Sequence, residues 1–208
     1  MNIIMCNNIE EKETFSITFR ILNRYGLIGD RQKYGNISPI GLMSLMFNTF
    51  WRRILFNYAY KGYVFEPFYK KRLRPSIWRK LGCSVGKNVN IGHAVRLDFG
   101  NAEKIHVADN VVISNGVTIL CHKRDVTNYH KGDQAIKLPF IYEDVVLEQG
   151  CQIGINSTIL PGVVIGEGTI IGSCSLVTKS VPAWSIAVGV PAKVVKTLTK
   201  PIERENAI

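Results

Sequence analysis

The residues of this 208-residue chain that could do chemistry are few. There are four histidines, five cysteines and 16 acidic side chains. His122 stands out by its position. It ends the run Gly116 to His122, in which aliphatic residues recur regularly, and it opens a stretch, 123–140, that lacks that recurrence. A neutral imidazole held at such a break can take a proton from a weak nucleophile such as a hydroxyl, within the physiological pH range. Asp98, Asp125 and Glu148 are carboxylates that could orient it, and the sequence does not choose among them. His130 lies within the irregular stretch and is a candidate contact for an acceptor. His93 and His106 lie earlier. The cysteines Cys6, Cys83, Cys121, Cys151 and Cys174 are scattered with no CxxC pair, so they read as reduced thiols of a cytosolic protein rather than as zinc ligands.

The element that must position His122 is a repeat. Read in sixes from Ile141, the first residues are Ile141, Leu147, Ile153, Ile159, Ile165, Ile171 and Val177. Seven aliphatics in register by chance is on the order of one in ten thousand, given ordinary composition. The fifth positions are small or β-branched: Val145, Cys151, Ser157, Val163, Thr169, Ser175 and Val181. The fourth favour Gly and Asn, which tolerate positive φ. A period of six is the signature of a parallel β-helix, in which each hexad supplies one short strand and one turn and three hexads close a coil. First-position side chains then fill the interior, so Ile159 is expected to be fully buried.

An earlier block opens at Val85, Ile91 and Leu97, slips across Asp98 to His106, and resumes at Val107, Ile113 and Ile119. His122 falls at a fourth position of this register, where a turn is expected. The stretch 123–140 then reads as a loop extruded from the prism, and long loops on rigid scaffolds usually carry function.

The formal net charge of +10 is uneven. Residues 1–82 hold 14 Lys and Arg against 5 acids. Residues 40–60 are apolar and read as a helix started by Ser38-Pro39. A segment rich in aromatic and basic residues follows, from Phe65 to Lys80. A short helix or strand is expected near Phe15 to Leu22. Two readings stand for this extension: a cap over the open end of the prism, or a peripheral contact of residues 40–80 with an anionic membrane. No nucleic-acid-binding motif accompanies the charge. No apolar run is long enough to span a bilayer. The start, with Glu10, Glu11 and Glu13 after a stretch without basic residues, lacks the form of a signal peptide.

The runs GVTILCHKRD and PFIYEDVVLEQGCQIG, separated by the loop, together with VTKSVP and VGVPAKVVK near the end, resemble the hexapeptide-repeat O-acetyltransferases of the galactoside and maltose type. The segment WRKLG at Trp78 to Gly82 resembles capsule and exopolysaccharide acetyltransferases. The chain departs from the galactoside type in having two fewer residues between Ile119 and His122 and Lys123 in place of a proline. The resemblance implies an all-β, left-handed parallel β-helix over residues 81–198, with a partly helical extension at 1–80 and a tail at 199–208. It implies a homotrimer with sites between subunits, acetyl-CoA as co-substrate, a glycan or sugar acceptor, and a role in surface polysaccharide biosynthesis. It places His122 as general base and Gly154 and Ile155 along the pantetheine arm. Ser173 and Thr178 come next, and Lys179, Lys193 and Lys196 meet the nucleotide end, where cations suit phosphate. Asp98, Asp125, Tyr129 and His130 are expected near the acceptor.

The protein is expected in the cytoplasm, on the inner face of the membrane if the extension docks there. The alternatives are an N-acetyltransferase acting on an amino-sugar nucleotide, a non-catalytic β-helix scaffold, and a zinc hydratase like the γ-carbonic anhydrases. For the last, His93, His106, His122 and His130 lack the expected His-x-x-x-x-His pair, and no metal is expected.

Overall fold

A computed structural model describes residues 16–24, 36–61 and 69–199. The chain divides into two compact units, Met1–Trp51 and Arg52–Ile208. In the first, α1 (Ile17–Arg24) starts at Ser16, whose Oγ accepts the Phe19 N–H at 3.2 Å. Helix α2 runs Pro39–Lys61, across the boundary of the two units, and begins as the sequence suggests, with Pro39 in its first turn and Ser38 Oγ accepting the Gly41 N–H at 3.0 Å. Most of residues 1–39, and the segment 62–68, lie outside the described residues, as does the tail from residue 200 on.

The second unit is built on the hexads. Successive strands are dealt in turn to three parallel sheets, the faces of a prism. The first face stacks β1 (Ser84–Val85), β3 (Ile105–Val107), β8 (Val145–Leu147) and β11 (Val164–Ile165). The second stacks β2 (Asn90–Ile91), β4 (Val112–Ile113), β9 (Gln152–Ile153), β12 (Ile170–Ile171) and β14 (Ser185–Gly189). The third stacks β5 (Thr118–Ile119), β10 (Thr158–Ile159) and β13 (Leu176–Val177). Register is held by the first-position aliphatics, which pair coil to coil: Ile113 with Ile153, Ile153 with Ile171, and Ile119 with Ile159. Leu147, Ile153, Ile159, Ile165, Ile171 and Val177 are all buried, as are the fifth-position residues from Val145 to Val181. The fourth-position residues Asn88, Asn110, Asn156, Gly150, Gly162 and Gly168 have φ between 53° and 81°, the left-handed turn that Gly and Asn accept.

Two expectations of register need correction. Ile141 is not a prism residue. It sits in β7 (Phe140–Tyr142), which pairs antiparallel with β6 (His122–Arg124), and it is only half-buried. His122 is not a turn residue. It opens β6, and its φ is not positive. The cause is the same in both cases. After Cys121 the chain leaves the prism as a two-stranded ribbon, and extended backbone replaces the corner. It re-enters at Val145, opposite Ile105. The 18 residues expected as an open loop are therefore a hairpin around an irregular tip, 125–139.

An element packs on the first coil, and another extends the last strand of the second face. Helix α3 (Arg74–Leu81) lays Ile77, Trp78 and Leu81 on the first coil and ends at Gly82, whose φ of 115° lets Cys83 N–H reach the Trp78 carbonyl. At the other end β15 (Ala192–Thr197) folds back antiparallel on β14. Each device hides backbone groups that an exposed edge strand would present.

Candidate functional site

The repeat is interrupted twice within its first two coils, and the two interruptions meet. Between Leu97 and β3 the chain makes a short irregular excursion with a 3-10 turn at Ala102–Lys104, and this is where the sequence register slips. It places Asp98 beside the start of the ribbon. Asp98 is almost fully enclosed, 7% exposed, and its carboxylate is surrounded by donors. Oδ2 accepts the backbone N–H of Cys121 at 3.0 Å and meets His122 Nδ1 in a very short contact. Oδ1 accepts from Asn101 Nδ2 at 3.0 Å. Burial by itself would push the Asp98 carboxyl up. The Cys121 N–H, His122 and Asn101 together outweigh burial and hold it below its ordinary value, so it is ionised near neutrality.

An ionised carboxylate only accepts, so the proton in its contact with His122 sits on Nδ1. In the neutral ring, Nε2 is then left with its lone pair, as a base requires. Asn101 Nδ2 also lies 3.5 Å from Nδ1, but in this tautomer both are donors, and the amide serves Asp98. The ring is further fixed by Phe140, edge-on at 5.1 Å between centroids, with Tyr142 at 6.3 Å. The His122 side chain remains 37% exposed, so a substrate can approach it.

The ribbon is itself braced. Arg124 stacks on Phe140 with 3.8 Å from Cζ to the ring centroid, and its guanidinium donates to the carbonyls of Ile136 and Leu138. Lys123 pairs with Glu143 at 2.6 Å at the ribbon's base. Asn101, Phe140, Tyr142 and Arg124 were not singled out from the sequence. The slip of the hexads across Asp98 to His106 was the available signal for Asn101, because an interruption of a regular coil must put its side chains somewhere other than the core.

The other expected site residues are dispersed. Asp125 turns back on its own loop, accepting from Thr127 N at 2.9 Å, and Glu148 accepts from Glu167 N on the first face. Neither touches His122; of the three candidate carboxylates, Asp98 is its partner. Tyr129 and His130 are exposed on the tip, with His130 beside Asp133. Gly154, Ile155 and Ser173 lie at the corner between the second and third faces. Thr178 and Lys179 follow β13, at the corner where His122 also lies. Lys193 and Lys196 are exposed on β15. Gly154 has a structural role of its own: a Cβ there would stand 2.5 Å from Ser173 N in the next coil.

Among the described residues, no three His, Cys, Asp or Glu side chains are grouped to hold a metal ion. His106 pairs instead with Asp144 at 3.3 Å. The Cys121 thiol beneath the site is pushed up to about 12, by burial and then by the Asp98 charge, which leaves it a core residue rather than a nucleophile.

This chain belongs to the family of hexapeptide-repeat transferases. The family model described as bacterial transferase hexapeptide (six repeats) matches residues 144–179. A Bacillus subtilis (strain 168) protein provisionally named as the acetyltransferase YvoF is 33% identical over 124 residues, covering 60% of this chain and 66% of its own. WbbJ of Escherichia coli (strain K12), provisionally named as a lipopolysaccharide biosynthesis O-acetyl transferase, is 30% identical, covering 53% of this chain and 69% of its own. The chain thus spans about two thirds of the length of these relatives. The crystal structure of a maltose O-acetyltransferase from Clostridium difficile 630 superimposes with a TM-score of 0.57 over 75% of this chain and 89% of that one, at 24% identity, a likeness of fold.

Proposed function

We propose that this protein is an O-acetyltransferase that moves an acetyl group from acetyl-CoA to a sugar hydroxyl, on a left-handed β-helix and in the cytoplasm. The observation that carries the reading is the Asp98–His122 pair, set where the two interruptions of the hexapeptide prism meet. The names of the relatives supply the acyl group, and that of WbbJ supplies the oxygen acceptor and a role in surface polysaccharide synthesis.

A sugar hydroxyl is a poor nucleophile until its proton has somewhere to go. His122 Nε2 takes that proton as the hydroxyl oxygen attacks the thioester carbonyl. The imidazolium that forms is stabilised by the Asp98 carboxylate at Nδ1, which stays ionised throughout. As the carbon–sulfur bond breaks, the same proton passes to the departing thiolate of coenzyme A. The products are the acetyl ester and the free thiol, and the enzyme is returned unchanged.

The positions of the cofactor candidates support a homotrimer. His122 stands at one long edge of the third face, and Gly154, Ile155 and Ser173 stand at the other. The width of a face is on the order of 15 Å for a hexad of extended backbone. This separation favours a site shared with a second copy packed against the third face, whose pantetheine residues would meet the first copy's His122. Thr178 and Lys179 share the His122 corner, and the exposed Lys193 and Lys196 at the end of the prism suit the nucleotide phosphates. Asp125, Tyr129 and His130 on the hairpin tip are then free to meet the acceptor.

The test is release of free thiol from acetyl-CoA in the presence of fractionated glycans, with mass spectrometry of the acceptor. The expected product is an ester, cleaved by mild base. An amide stable to that treatment would replace this reading with N-acetylation of an amino sugar. His122→Ala should retain the fold, since the ribbon is paired through backbone, and should lower turnover by roughly 10²–10⁴. Unchanged turnover would remove His122 as the base.

A further inference from the structure

Helix α2 presents an apolar surface that the acetyl-transfer reading does not use. Ile40, Met43, Phe47, Phe50, Trp51 and Ile54 are 40–81% exposed. Their spacing of three, four, three, one and three residues places all six within an arc of about 100° on a helix of 3.6 residues per turn. The opposite side is apolar as well: Leu42, Leu45 and Phe56 are half-buried. A helix apolar on both sides needs a second apolar environment for the side left outside.

Charge decides what that environment is. The 23 residues of α2 include no acid, and its charges are Arg52, Arg53 and Lys61. Arg53 is exposed, and the whole stretch 1–82 carries 14 basic residues against 5 acids. A second copy of the same helix laid on the stripe would offer Arg53 no carboxylate, since α2 has none. An anionic lipid surface offers apolar chains to the stripe and negative headgroups to Arg53 on its flank, whereas Arg52 is half-buried and donates to the Leu81 carbonyl at 2.8 Å. The aromatic residues Phe47, Phe50 and Trp51 suit the boundary between the two. Among the described residues no helix is long and apolar enough to cross a membrane, so α2 would lie in the plane of the surface.

We infer that α2 is an interfacial anchor that docks the protein on an anionic bilayer through the Ile40–Ile54 stripe. Residues 40–80 do not act as one basic segment in this. Arg74 is buried and donates to the Ile91 carbonyl at 3.0 Å, and α3 is a cap on the prism. The anchor and the cap are thus separate parts of the extension, and the two readings of it both apply.

The experiment is flotation of the full chain with vesicles of phosphatidylcholine alone or mixed with phosphatidylglycerol. Binding is expected to the mixed vesicles only, at about 0.02 M salt, and to fall at least about tenfold at about 0.5 M. Ile40→Glu combined with Phe47→Glu should abolish flotation with an unchanged melting temperature, because both side chains are at least 70% exposed. Without any loss-of-binding variant, brominated acyl chains should quench Trp51 emission in the bound protein, and the quenching should vanish in Trp51→Phe. No flotation at low salt would overturn the inference, and so would flotation indifferent to the double substitution. Self-association that the double substitution disrupts, without vesicle binding, would make the stripe a contact between copies and overturn it equally.

Discussion

Replacing Asp98 by Asn changes the volume of a buried side chain hardly at all but removes one of its two acceptor oxygens. Three donors converge on Asp98: the Cys121 N–H, His122 Nδ1 and Asn101 Nδ2. An amide has one oxygen, so it can be placed in two ways. With its oxygen toward Cys121 and His122, its NH2 opposes the Asn101 amide, and the charge that stabilises imidazolium is gone. With its NH2 toward His122, the ring must accept at Nδ1 and carry its proton on Nε2, and the base is lost. Either way at least one charge-assisted hydrogen bond is lost, worth about 1.5–3 kcal/mol of stability. Turnover should fall by roughly 10²–10⁴, about 3–5 kcal/mol on the barrier. Coenzyme A affinity should be little changed, because the expected ligand residues lie at other positions along the prism. The assay is thiol release resolved into kcat and KM, with calorimetric coenzyme A binding and a melting curve on the same sample. A folded Asp98→Asn protein whose kcat stays within about threefold of wild type would refute the pairing as a catalytic device.

Ile159, with no exposed surface in the middle strand of the third face, should cost roughly 2–5 kcal/mol as Ile159→Ala, read from denaturant melts, through lost burial and the cavity left behind. Gly154→Ala sets a methyl group 2.5 Å from Ser173 N and should destabilise the protein by about 1–3 kcal/mol, whatever it does to cofactor binding; an unchanged melting temperature would mean that the coils are less closely stacked. The Asp98 carboxyl titrates lower in the folded chain than in the unfolded one, so its network contributes stability above the unfolded value, near 4, and that contribution is lost as pH falls through the lower folded value. Acid melts of Asp98→Asn should therefore be flatter than wild type below about pH 4.

The hexad pattern was sufficient for the prism because each coil is a local event. A first-position aliphatic turns inward, a fourth-position Gly or Asn accepts positive φ, and the next coil repeats the arrangement one strand spacing away. That logic located Ile153, Ile159 and Ile171 in the core without any knowledge of distant contacts. Ser38-Pro39 announced the start of α2 for the same reason, since a cap is formed by its own neighbours. Where the period held, the residues were legible.

Where it broke, they were not. Ile141 has the residue type of a prism position, yet it pairs with Lys123 in a ribbon, because the sequence does not say whether a segment following an interruption rejoins the coil or doubles back. His122 is legible as the residue at the break, but its register suggests a turn rather than the strand it opens. The partner of His122 was undecidable among Asp98, Asp125 and Glu148, since 24 residues separate Asp98 from His122 in the chain. Only the stacking of the first coil on the second brings the two interruptions to one corner, buries the carboxylate and fixes which ring nitrogen is free. The sequence by itself determined the repeat, the core it fills and the histidine at its break. The tertiary structure decided the acid that sets that histidine's tautomer, because that choice depends on which side chains two separate excursions leave facing each other.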